Sequence, residues 1–486
     1  MGFGLSKSRI IAWRQCPKRL WLQVHRPDLL EISSADEQRF QIGFEIGEVA
    51  RRLYPGGILI EEEDLSAAIE ATNIALAEHP DQPVFEATFQ RNGVLVRADV
   101  LLPEGSSYRM IEVKSSTSVK DYHLEDCAVQ TWVMEVACPL AGVEVAHVDN
   151  QFVYPGEGDY RGLFNRVSVD EAVTSLMEQV PDWVLGARGT LAGSEPAIEP
   201  GCQCEVPFPC PFQDYCGANQ TTTEYPLSVL PLLSLWRRDE LEDLGIQDVR
   251  DIPPDFPLTA SQARVLAVTR AGQAELSPDA AKALATLSYP RYYLDFETVS
   301  FAVPIWVGTR PYQAIPVQWS CHIESAPGGI KHLAFLAEGN ADPRRYFVQA
   351  LIMALGEDGP VFVYNQTFEL RILRELAQAF PELAPALQAI ADRIIDLLPL
   401  TRGHYYHPDM RGSWSIKAVL PTIAPDLSYN DLEIGEGGEA EGAWREILHP
   451  DTPGERKVAL RQSLAEYCAL DTWAMVRLAW FLERRS

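Results

Sequence analysis

Two short segments of the chain place charged side chains at alternate positions of an apolar run. The first is Glu112-Val113-Lys114, and the second is Asp295-Phe296-Glu297. Side chains two residues apart on a strand point to the same side of a sheet, so each segment directs its charged groups into one place. Adjacent carboxylates repel each other unless a cation lies between them. The segments therefore predict two oxygen-lined sites for Mg²⁺ or Mn²⁺, and such sites typically hydrolyse phosphodiester bonds.

The N-terminal site draws on neighbouring predicted elements. Asp99 lies on the strand before Glu112, and Gln130 lies on the helix that follows it. In such a set, Asp99 and Glu112 hold the metal ion, whereas Lys114 orients water or neutralises charge that develops on the phosphate. Gln130 completes the pocket. The alternative is an exposed hairpin with ordinary salt bridges, but the apolar residues beside Glu112 favour a buried site.

The C-terminal site is completed by residues far along the chain. Glu369 follows an apolar strand, and Tyr467 and Asp471 are four residues apart, which places them on one face of a helix. Together with Asp295 and Glu297, they provide four carboxylates for metal ions and a tyrosine that orients the attacking water. The alternative is a protein core in which these carboxylates pair with nearby arginines.

The nine cysteines are distributed unevenly along the chain. An odd number argues against a complete set of disulfides. Residues 202–216 alone contain four of them, which are Cys202, Cys204, Cys210 and Cys216. Such a concentration is typical of a metal-binding loop. Four others stand in apolar surroundings, and we expect them to be small buried core residues: Cys127, Cys138, Cys321 and Cys468.

The pattern of apolar residues predicts an α/β multidomain protein with three parts. Residues 1–220 show helices at 7–25 and 36–54, then strands from Val84 onward with a tight turn at Asn92-Gly93. Residues 221–285 show leucine-rich helical pieces and form a connector. Residues 286–486 alternate strands and helices. The strands expected there are 291–297, 316–323 and 361–364, and the helices are 367–379, 384–392 and 460–483.

The charge of the chain restricts where a polyanion can bind. A nucleic-acid-binding protein usually presents a basic surface, whereas this chain has a formal net charge of −27. A basic surface must therefore be local, and one candidate is the N-terminal set Lys7, Arg9, Arg14, Lys18, Arg19 and Arg26. The alternative is that these side chains only cover a helix. A Gly-rich segment is expected to be a solvated acidic loop, and it contains Glu433, Glu436, Glu439 and Glu441.

No apolar run reaches membrane-spanning length, and the N-terminus lacks a secretion signal. We therefore expect a cytoplasmic protein without a membrane partner. No Gly-rich phosphate-binding loop with Lys-Ser or Lys-Thr is present, so the chain should not hydrolyse ATP by that route. If unwinding of nucleic acid is needed, a helicase or another repair or defence protein must supply it.

The N-terminal set resembles the active site of RecB-like PD-(D/E)xK nucleases, which have a restriction-endonuclease-like fold. Some members hold a [4Fe-4S] cluster with one cysteine before the nuclease core and three after it. The matching positions are Cys16, Cys204, Cys210 and Cys216. The resemblance implies that these cysteines hold such a cluster, with Cys202 as an alternative to Cys204 and zinc as the alternative metal.

One position departs from the pattern of this branch. Gly47 stands where many relatives have a histidine. Either Glu45 or Glu48 supplies an oxygen instead, or the N-terminal site binds a single metal ion.

The C-terminal set resembles the RNase H-like DEDD exonucleases, which trim 3′ ends. Glu369 replaces the usual aspartate of the second motif and lengthens that ligand by one methylene. Ser415-Ile416-Lys417 resembles the segment on the substrate side of such enzymes.

Almost the whole chain resembles the bacterial domain-of-unknown-function 2779 family, whose members fuse these two parts. The resemblance implies a metal-dependent nuclease that acts on DNA, at single-stranded ends, in repair or defence. Two rival hypotheses stay open. One is a nucleic-acid-binding scaffold with one or both sites inactive, and the other is an exonuclease that acts on RNA.

Overall fold

The computed structural model describes residues 4–30, 34–218 and 223–484 of a mixed α/β multidomain chain. The chain divides into two compact units. The first unit comprises Met1–Gln220 and Phe301–Gln313, and the second comprises Thr221–Ser300 and Ala314–Ser486. No helix in the described ranges combines the length and apolarity needed to cross a membrane.

The first unit contains a seven-stranded mixed sheet. Its strands are β1 Leu5–Ser6, β2 Ile58–Leu59, β3 Val84–Arg91, β4 Val94–Glu104, β5 Ser107–Lys114, β6 Leu140–Val148 and β7 Phe164–Ser168. They follow the order β2-β3-β4-β5-β6-β7, and the short strand β1 pairs with β4 in parallel. The predicted turn between β3 and β4 is confirmed, because Asn92 and Gly93 have φ values of 48° and 68°.

The helices of the first unit are α1 Lys7–Gln15, α2 Pro17–His25, α3 Ser34–Arg52, α4 Leu65–Glu78, α5 Asp121–Met134, α6 Asp170–Met177, α7 Val180–Ala192 and α8 Gln213–Gly217. Apolar side chains from several helices and from the sheet make a common core, in which Leu20, Val96 and Val129 are fully buried. This packing places α1 and α5 against β4, which carries Asp99 and pairs with β5, the strand of Glu112.

The single helix predicted at 7–25 is wrong, because the structure has two helices there. Cys16 adopts an extended conformation with φ −161° and ψ 118°, and Pro17 begins α2. Proline disfavours helical geometry at the preceding residue. It also lacks the N–H group that would continue the hydrogen bonding of the first helix. The break therefore leaves Cys16 between two helices, with its side chain outside the regular packing of either one.

Residues 301–313 pack into the first unit although the chain around them builds the second. Ala302 and Val303 join a buried cluster with Ile46, Val148 and Leu163. The backbone of this segment also bonds to residue 154 in both directions, at 2.9 and 3.0 Å. The segment is therefore an integral part of the first unit.

The second unit contains a five-stranded sheet and a separate two-stranded one. Its strands are β8 Glu275–Leu276, β9 Arg291–Val299, β10 Ile315–Glu324, β11 Ile330–Leu336, β12 Val361–Val363, β13 Ile394–Asp396 and β14 Tyr405–Tyr406. The larger sheet has the order β11-β10-β9-β12-β13. Strand β10 is antiparallel to both β9 and β11, whereas β9, β12 and β13 run parallel.

The helices of the second unit are α9 Leu235–Asp243, α10 Ala260–Ala271, α11 Asp279–Ala285, α12 Arg344–Leu355, α13 Thr367–Ala379, α14 Ala384–Ala391, α15 Leu397–His404, α16 Ile416–Ile423, α17 Gly437–Leu448 and α18 Gly454–Leu482. Short 3₁₀ turns elsewhere in the chain are Pro27–Leu29, Cys202–Cys204, Leu227–Val229, Val249–Asp251, Pro381–Leu383 and Pro408–Met410. The segment 221–285 shares a hydrophobic core with the rest of this unit, since Leu241 and Leu266 are buried in one cluster with Tyr405 and Met475.

The solvated acidic loop expected around residues 433–441 is confirmed only in part, because Glu433 and Glu436 are exposed in a loop, whereas the chain is helical from Gly437 onward. Part of it forms α17, in which Trp444 and Ile447 are buried. Glu441 accepts a hydrogen bond from the backbone N–H of Ser300 at 3.1 Å, immediately after β9. The apolar residues that follow the glutamates bury this segment against the strand that carries Asp295 and Glu297.

Candidate metal centres

In the first unit, the polar side chains predicted for the N-terminal site converge on Glu112, which is 1% exposed. Lys114 donates to Glu112 Oε1 at 2.6 Å, and Gln130 donates to Glu112 Oε2 at 2.6 Å. Asp99 accepts a hydrogen bond at 2.7 Å from the backbone N–H of Val113, between Glu112 and Lys114. The structure thus brings Asp99, Glu112, Lys114 and Gln130 together, on β4, β5 and α5.

Two further charged residues belong to this cluster, and sequence reasoning did not assign them to it. Lys7 of α1 donates to Glu112 Oε1 at 2.8 Å. Asp126 of α5 lies 2.7 Å from Lys114 Nζ and 3.6 Å from Lys7 Nζ. Asp126 and Gln130 are four residues apart and so share a helix face, and this spacing was a signal for Asp126. Lys7 gave no such signal, because it comes from a distant helix.

The two carboxylates of this site have opposite pKa shifts. Burial raises the pKa of Asp99 to about 7, and the nearby negative charge of Glu112 adds to the effect. Burial also opposes ionisation of Glu112, but the positive charges of Lys114 and Lys7 outweigh it and hold its pKa below the ordinary range. The cluster therefore keeps Glu112 charged, whereas Asp99 titrates near neutrality.

A cavity of about 130 Å³ adjoins Asp99, and its lining includes Gly47, Arg51 and Glu86. Glu86 faces Asp99 in the register of β3 and β4 and has a φ of 56°, which is rare for a residue with a side chain. Such backbone strain often occurs at functional sites. Burial raises the pKa of Glu86 above its ordinary value. Glu86 is thus a further carboxylate at the site, and the sequence contains no spacing signal for it.

Gly47 lies on α3 and lines this cavity. A Cβ atom added to Gly47 would have one neighbour within 4 Å, the Arg51 side chain at 3.6 Å. The cavity therefore has room for the side chain that the resemblance leads one to expect at this position. Glu45 and Glu48 do not line it.

In the second unit, the structure brings together the four carboxylates predicted for the C-terminal site. Asp295 and Glu297 lie on β9, Glu369 in the first turn of α13, and Asp471 on α18. The negative charges of Asp471, Glu297 and Glu369 all act on Asp295. Within the described chain, none of the four forms a salt bridge, so the predicted alternative of arginine pairing finds no support here.

Hydrogen bonds from backbone N–H groups to the carboxylate of Asp396 fix the turn that presents Glu369. Asp396, at the end of β13, accepts hydrogen bonds from the N–H groups of Asn365 at 2.9 Å and Gln366 at 3.1 Å. Asn365 has a φ of 74°, a conformation that asparagine tolerates better than most residues. The chain therefore turns sharply from β12 into α13 and places Glu369 at the buried end of that helix.

Burial raises the pKa of every carboxylate in this cluster, and repulsion from neighbouring cluster members adds to the effect for Asp295 and Glu297. Burial raises the pKa of Glu297 to about 8, and Asp471 adds to the effect. Burial likewise raises the pKa of Glu369 to about 8. The pKa of Asp471 rises to about 6, because burial exceeds the opposing effect of a hydrogen bond from Tyr429. Asp295 is shifted well above its ordinary value by burial and by Asp471. A cation in the cluster would reverse these shifts.

Three residues surround the carboxylates on the side of α16 and α18. Tyr467 lies one helical turn from Asp471, as predicted, and its hydroxyl is 3.4 Å from Lys417 Nζ. Tyr429 donates to Asp471 Oδ1 at 2.5 Å and was not identified from the sequence. Lys417 also donates to the backbone carbonyl of Gly435 at 2.6 Å. These contacts position a cation and two hydroxyls next to the acidic cluster.

Four cysteines of the first unit line a second small cavity, and these are Cys16, Cys204, Cys210 and Cys216. Cys204 is buried, whereas Cys202 is exposed and does not line the cavity. Gln15 donates to the backbone carbonyls of Gln203 and Phe208, at 2.8 and 2.6 Å, and so ties α1 to the cysteine loop. The donor chemistry fits a thiolate-bound metal centre, with Cys204 in place of Cys202.

Parts of the chain are similar to a known family and to uncharacterised bacterial proteins. Residues 292–415 match the family described as a domain of unknown function, DUF2779. An uncharacterised protein of Ureaplasma parvum, UU173, is 25% identical over 41% of this chain and 32% of its own length. The uncharacterised MG366 homologue of Mycoplasma pneumoniae is 26% identical over 40% of this chain and 32% of its own length.

This chain therefore spans about a third of the length of those relatives. The crystal structure of SSO0001 matches 45% of this chain and 87% of that chain, at 13% identity and a TM-score of 0.23. A score of this size does not establish a common fold. The chain thus has a segment like DUF2779 and resembles uncharacterised proteins.

Proposed function

We propose that this protein is a metal-dependent nuclease that hydrolyses phosphodiester bonds of DNA and acts at single-stranded ends. The observation that carries the proposal is the convergence of the buried Glu369 and Asp471 with the half-buried Asp295 and Glu297, in a cluster without a salt bridge in the described chain. Four carboxylates gathered in this way are unfavourable without a cation. The cluster is therefore most simply a site for divalent metal ions.

Oxygen donors of this kind suit Mg²⁺ or Mn²⁺. A bound divalent cation would polarise a phosphate and stabilise the charge that develops on it. In this proposal Tyr467 would orient a water molecule beside Asp471, and Lys417, 3.4 Å from the Tyr467 hydroxyl, would attract the phosphate backbone. These roles give the residues around the carboxylates a function in substrate binding and positioning.

The topology of the second unit supports an RNase H-like DEDD assignment. Counted along the chain, its five strands have the order 3-2-1-4-5, and the second strand is antiparallel to its neighbours. The first strand carries Asp295 and Glu297, and the last long helix carries Tyr467 and Asp471. This is the arrangement that the resemblance to 3′-trimming exonucleases leads us to propose.

The first unit supports a second, PD-(D/E)xK-type site. Its hairpin of β4 and β5 carries Asp99, Glu112 and Lys114, and a helix behind it carries Gln130. Asp99 and Glu112 would hold the metal ion, and Lys114 would act on the phosphate. Glu86, across from Asp99, is placed to add a third carboxylate.

We further propose that Cys16, Cys204, Cys210 and Cys216 hold a [4Fe-4S] cluster, with zinc as the alternative. Thiolates on one zinc ion lie about 3.8 Å apart, from a Zn–S distance of about 2.3 Å. Among the described residues, no group of three of these cysteines has its sulfur atoms all within 4.8 Å of one another. Four thiolates can hold either centre, so metal analysis of the purified protein decides between iron–sulfur and zinc.

A specific observation favours a second candidate function for the first unit. Both Lys7 and Lys114 contact Glu112 Oε1, at 2.8 and 2.6 Å, and thus neutralise the carboxylate that would hold a metal ion. In that case the first unit binds nucleic acid without cutting it and acts as a scaffold. RNA in place of DNA is a third candidate, since recognition of the 2′-hydroxyl depends on contacts outside these clusters.

A cleavage assay tests both sites. The full chain is incubated with end-labelled single-stranded DNA and Mg²⁺ or Mn²⁺, and with the matching RNA. Asp295→Asn should lower trimming at the 3′ end by at least 100-fold. The reason is that it removes the carboxylate that is close to the other three and would bind the metal ions with them. Lys114→Ala should remove a distinct product made by the first unit.

Glu466→Gln serves as the matched control, because Glu466 is an exposed carboxylate that precedes Tyr467 on α18. Trimming by this variant should stay within twofold of the wild-type rate. Intact DNA and RNA after incubation of the wild-type protein with either metal would refute the nuclease proposal. If Asp295→Asn removes a product but Lys114→Ala changes none, the first unit does not cut the substrate and the scaffold hypothesis for that unit is favoured.

A further inference from the structure

Cys468 differs in its surroundings from Cys321, the other buried cysteine of the second unit. It is fully buried on α18, and its Sγ atom lies 4.0 Å from Asp295 Oδ2. Cys321 is equally buried but packs in a hydrophobic cluster with Leu294 and Phe296. The expectation that Cys468 is a small buried residue is therefore confirmed, but its sulfur also faces the acidic cluster.

Three donor atoms of this cluster are close enough to bind one ion. Asp295, Glu297 and Cys468 each contribute one atom, and these atoms all lie within 4.8 Å of one another. Ligands of a single zinc ion, at about 2.0–2.3 Å from the metal, lie closer together than this limit. Small side-chain rotations would therefore bring all three atoms onto one ion.

A second, independent observation points to a cation at this place. Glu369 is 2% exposed, and its Oε2 atom has no hydrogen-bond partner among the described residues. Its charge acts on both Asp295 and Glu297. A buried carboxylate oxygen without a partner costs free energy, and a cation within reach would satisfy it.

We propose that Cys468 is a metal ligand, and that this site binds a thiophilic divalent cation such as Zn²⁺, Co²⁺ or Cd²⁺ through Asp295, Glu297 and Cys468. Thiolate ligands prefer these metals, whereas Mg²⁺ requires oxygen donors in a nearly ideal octahedron. On binding, the thiol releases its proton to solvent and the sulfur donates to the metal. The inference rests on the proposed function in assigning the cluster to divalent metal ions, and it assigns the position beside Cys468 to a thiophilic ion, whereas the remaining carboxylate oxygens suit Mg²⁺ or Mn²⁺.

Cadmium absorption tests the proposal directly, since a thiolate bound to Cd²⁺ absorbs in the ultraviolet. The full chain is titrated with Cd²⁺ in four forms: wild type, Cys468→Ser, Asp295→Asn and Cys321→Ser. The cysteine-lined cavity of the first unit contributes equally to all four. Cys468→Ser and Asp295→Asn should each lose the share of one thiolate, whereas Cys321→Ser should match the wild type.

Equal absorption in all four proteins would overturn the proposal. Circular dichroism checks the fold of each variant. If Cys468→Ser does not fold, Asp295→Asn decides the question alone, because it keeps the thiol and removes a carboxylate. Wild-type protein that cleaves DNA without Cys468-dependent absorption refutes this inference and leaves the proposed function intact. Cys468-dependent absorption in a protein that cleaves no nucleic acid would support this inference and refute the proposed function.

Discussion

At the scale of single residues, the N-terminal site is defined by its charge balance. Glu112 is buried between two lysines, and Asp126 lies within reach of both. Removing one partner from a buried ionic cluster is costly when the remaining charge cannot be solvated. Glu112 keeps Lys114 and Gln130 when Lys7 is removed, so the cost should be moderate.

We therefore expect Lys7→Met to lower the free energy of unfolding of the first unit by about 1–3 kcal/mol. Chemical denaturation of the full chain, followed by circular dichroism, measures the change. Arg52→Met is the matched control, because Arg52 forms an exposed pair with Glu48 on α3. Such a surface pair contributes about 0.2–1 kcal/mol. Equal effects of the two variants would contradict a structural role for Lys7.

Sequence reasoning found the residues of this site that follow a local rule. Glu112 and Lys114 share a strand, and Asp99 and Gln130 lie on the adjacent elements, so spacing alone predicted their proximity. Lys7 and Glu86 follow no local rule. Lys7 enters from a helix 105 residues away from Glu112, and Glu86 is directed by an unusual backbone conformation. Tertiary packing determines the positions of both residues, and local sequence patterns do not predict that packing.

At the scale of elements, a break between α1 and α2 positions Cys16 at the cavity that the other three cysteines line. A continuous helix through residue 16 would pack that side chain in regular helical register, whereas Pro17 ends this register. Cys16 then lines the same cavity as Cys204, Cys210 and Cys216. Helix prediction from periodicity missed the break, because the apolar pattern continues across it.

The same geometry separates Cys204 from Cys202, which the sequence left as alternatives. Cys204 is buried in the cavity and Cys202 is exposed, although both lie in one 3₁₀ turn. We expect Cys204→Ser to lower the iron content, or the zinc content, of the purified protein at least fivefold. Cys202→Ser should leave it unchanged, and elemental analysis with visible absorption measures both. Equal retention of metal by both variants would exclude Cys204 as a ligand.

Element types were easier to predict than their borders and partners. The helix at Thr367–Ala379 was predicted with its observed bounds, and three strands of the second unit were placed within two residues of theirs. Strong amphipathic periodicity explains this success. In contrast, α17 was mistaken for a loop, because Gly437, Gly438 and three glutamates suggest solvent exposure until the buried Trp444 is considered.

At the scale of the whole molecule, residues 301–313 complete the first unit from within the sequence of the second. The sequence showed no sign of this, because the segment follows β9 directly and has no change of composition. Ala302 and Val303 are buried in the first unit's cluster with Ile46 and Leu163. A fragment that ends at residue 220 therefore lacks part of its own core.

We expect the fragment 1–220 to be less stable than the same fragment joined by a flexible linker to residues 301–313. Burial of Val303 and its neighbours should contribute about 2–4 kcal/mol, at about 1.5–3 kcal/mol for a fully buried valine side chain. Urea denaturation of the two proteins measures the difference. A linked segment with the same residues in scrambled order is the control. The prediction is wrong if the native segment stabilises the fragment no more than the scrambled one.

The interleaving of the two units also bears on how such a protein can be inherited. The backbone passes from one unit to the other after residues 220, 300 and 313. Genetic recombination at one junction would therefore split a unit rather than exchange it whole. Descendants of this chain should gain or lose both halves together, unlike modular proteins whose domains are shuffled freely.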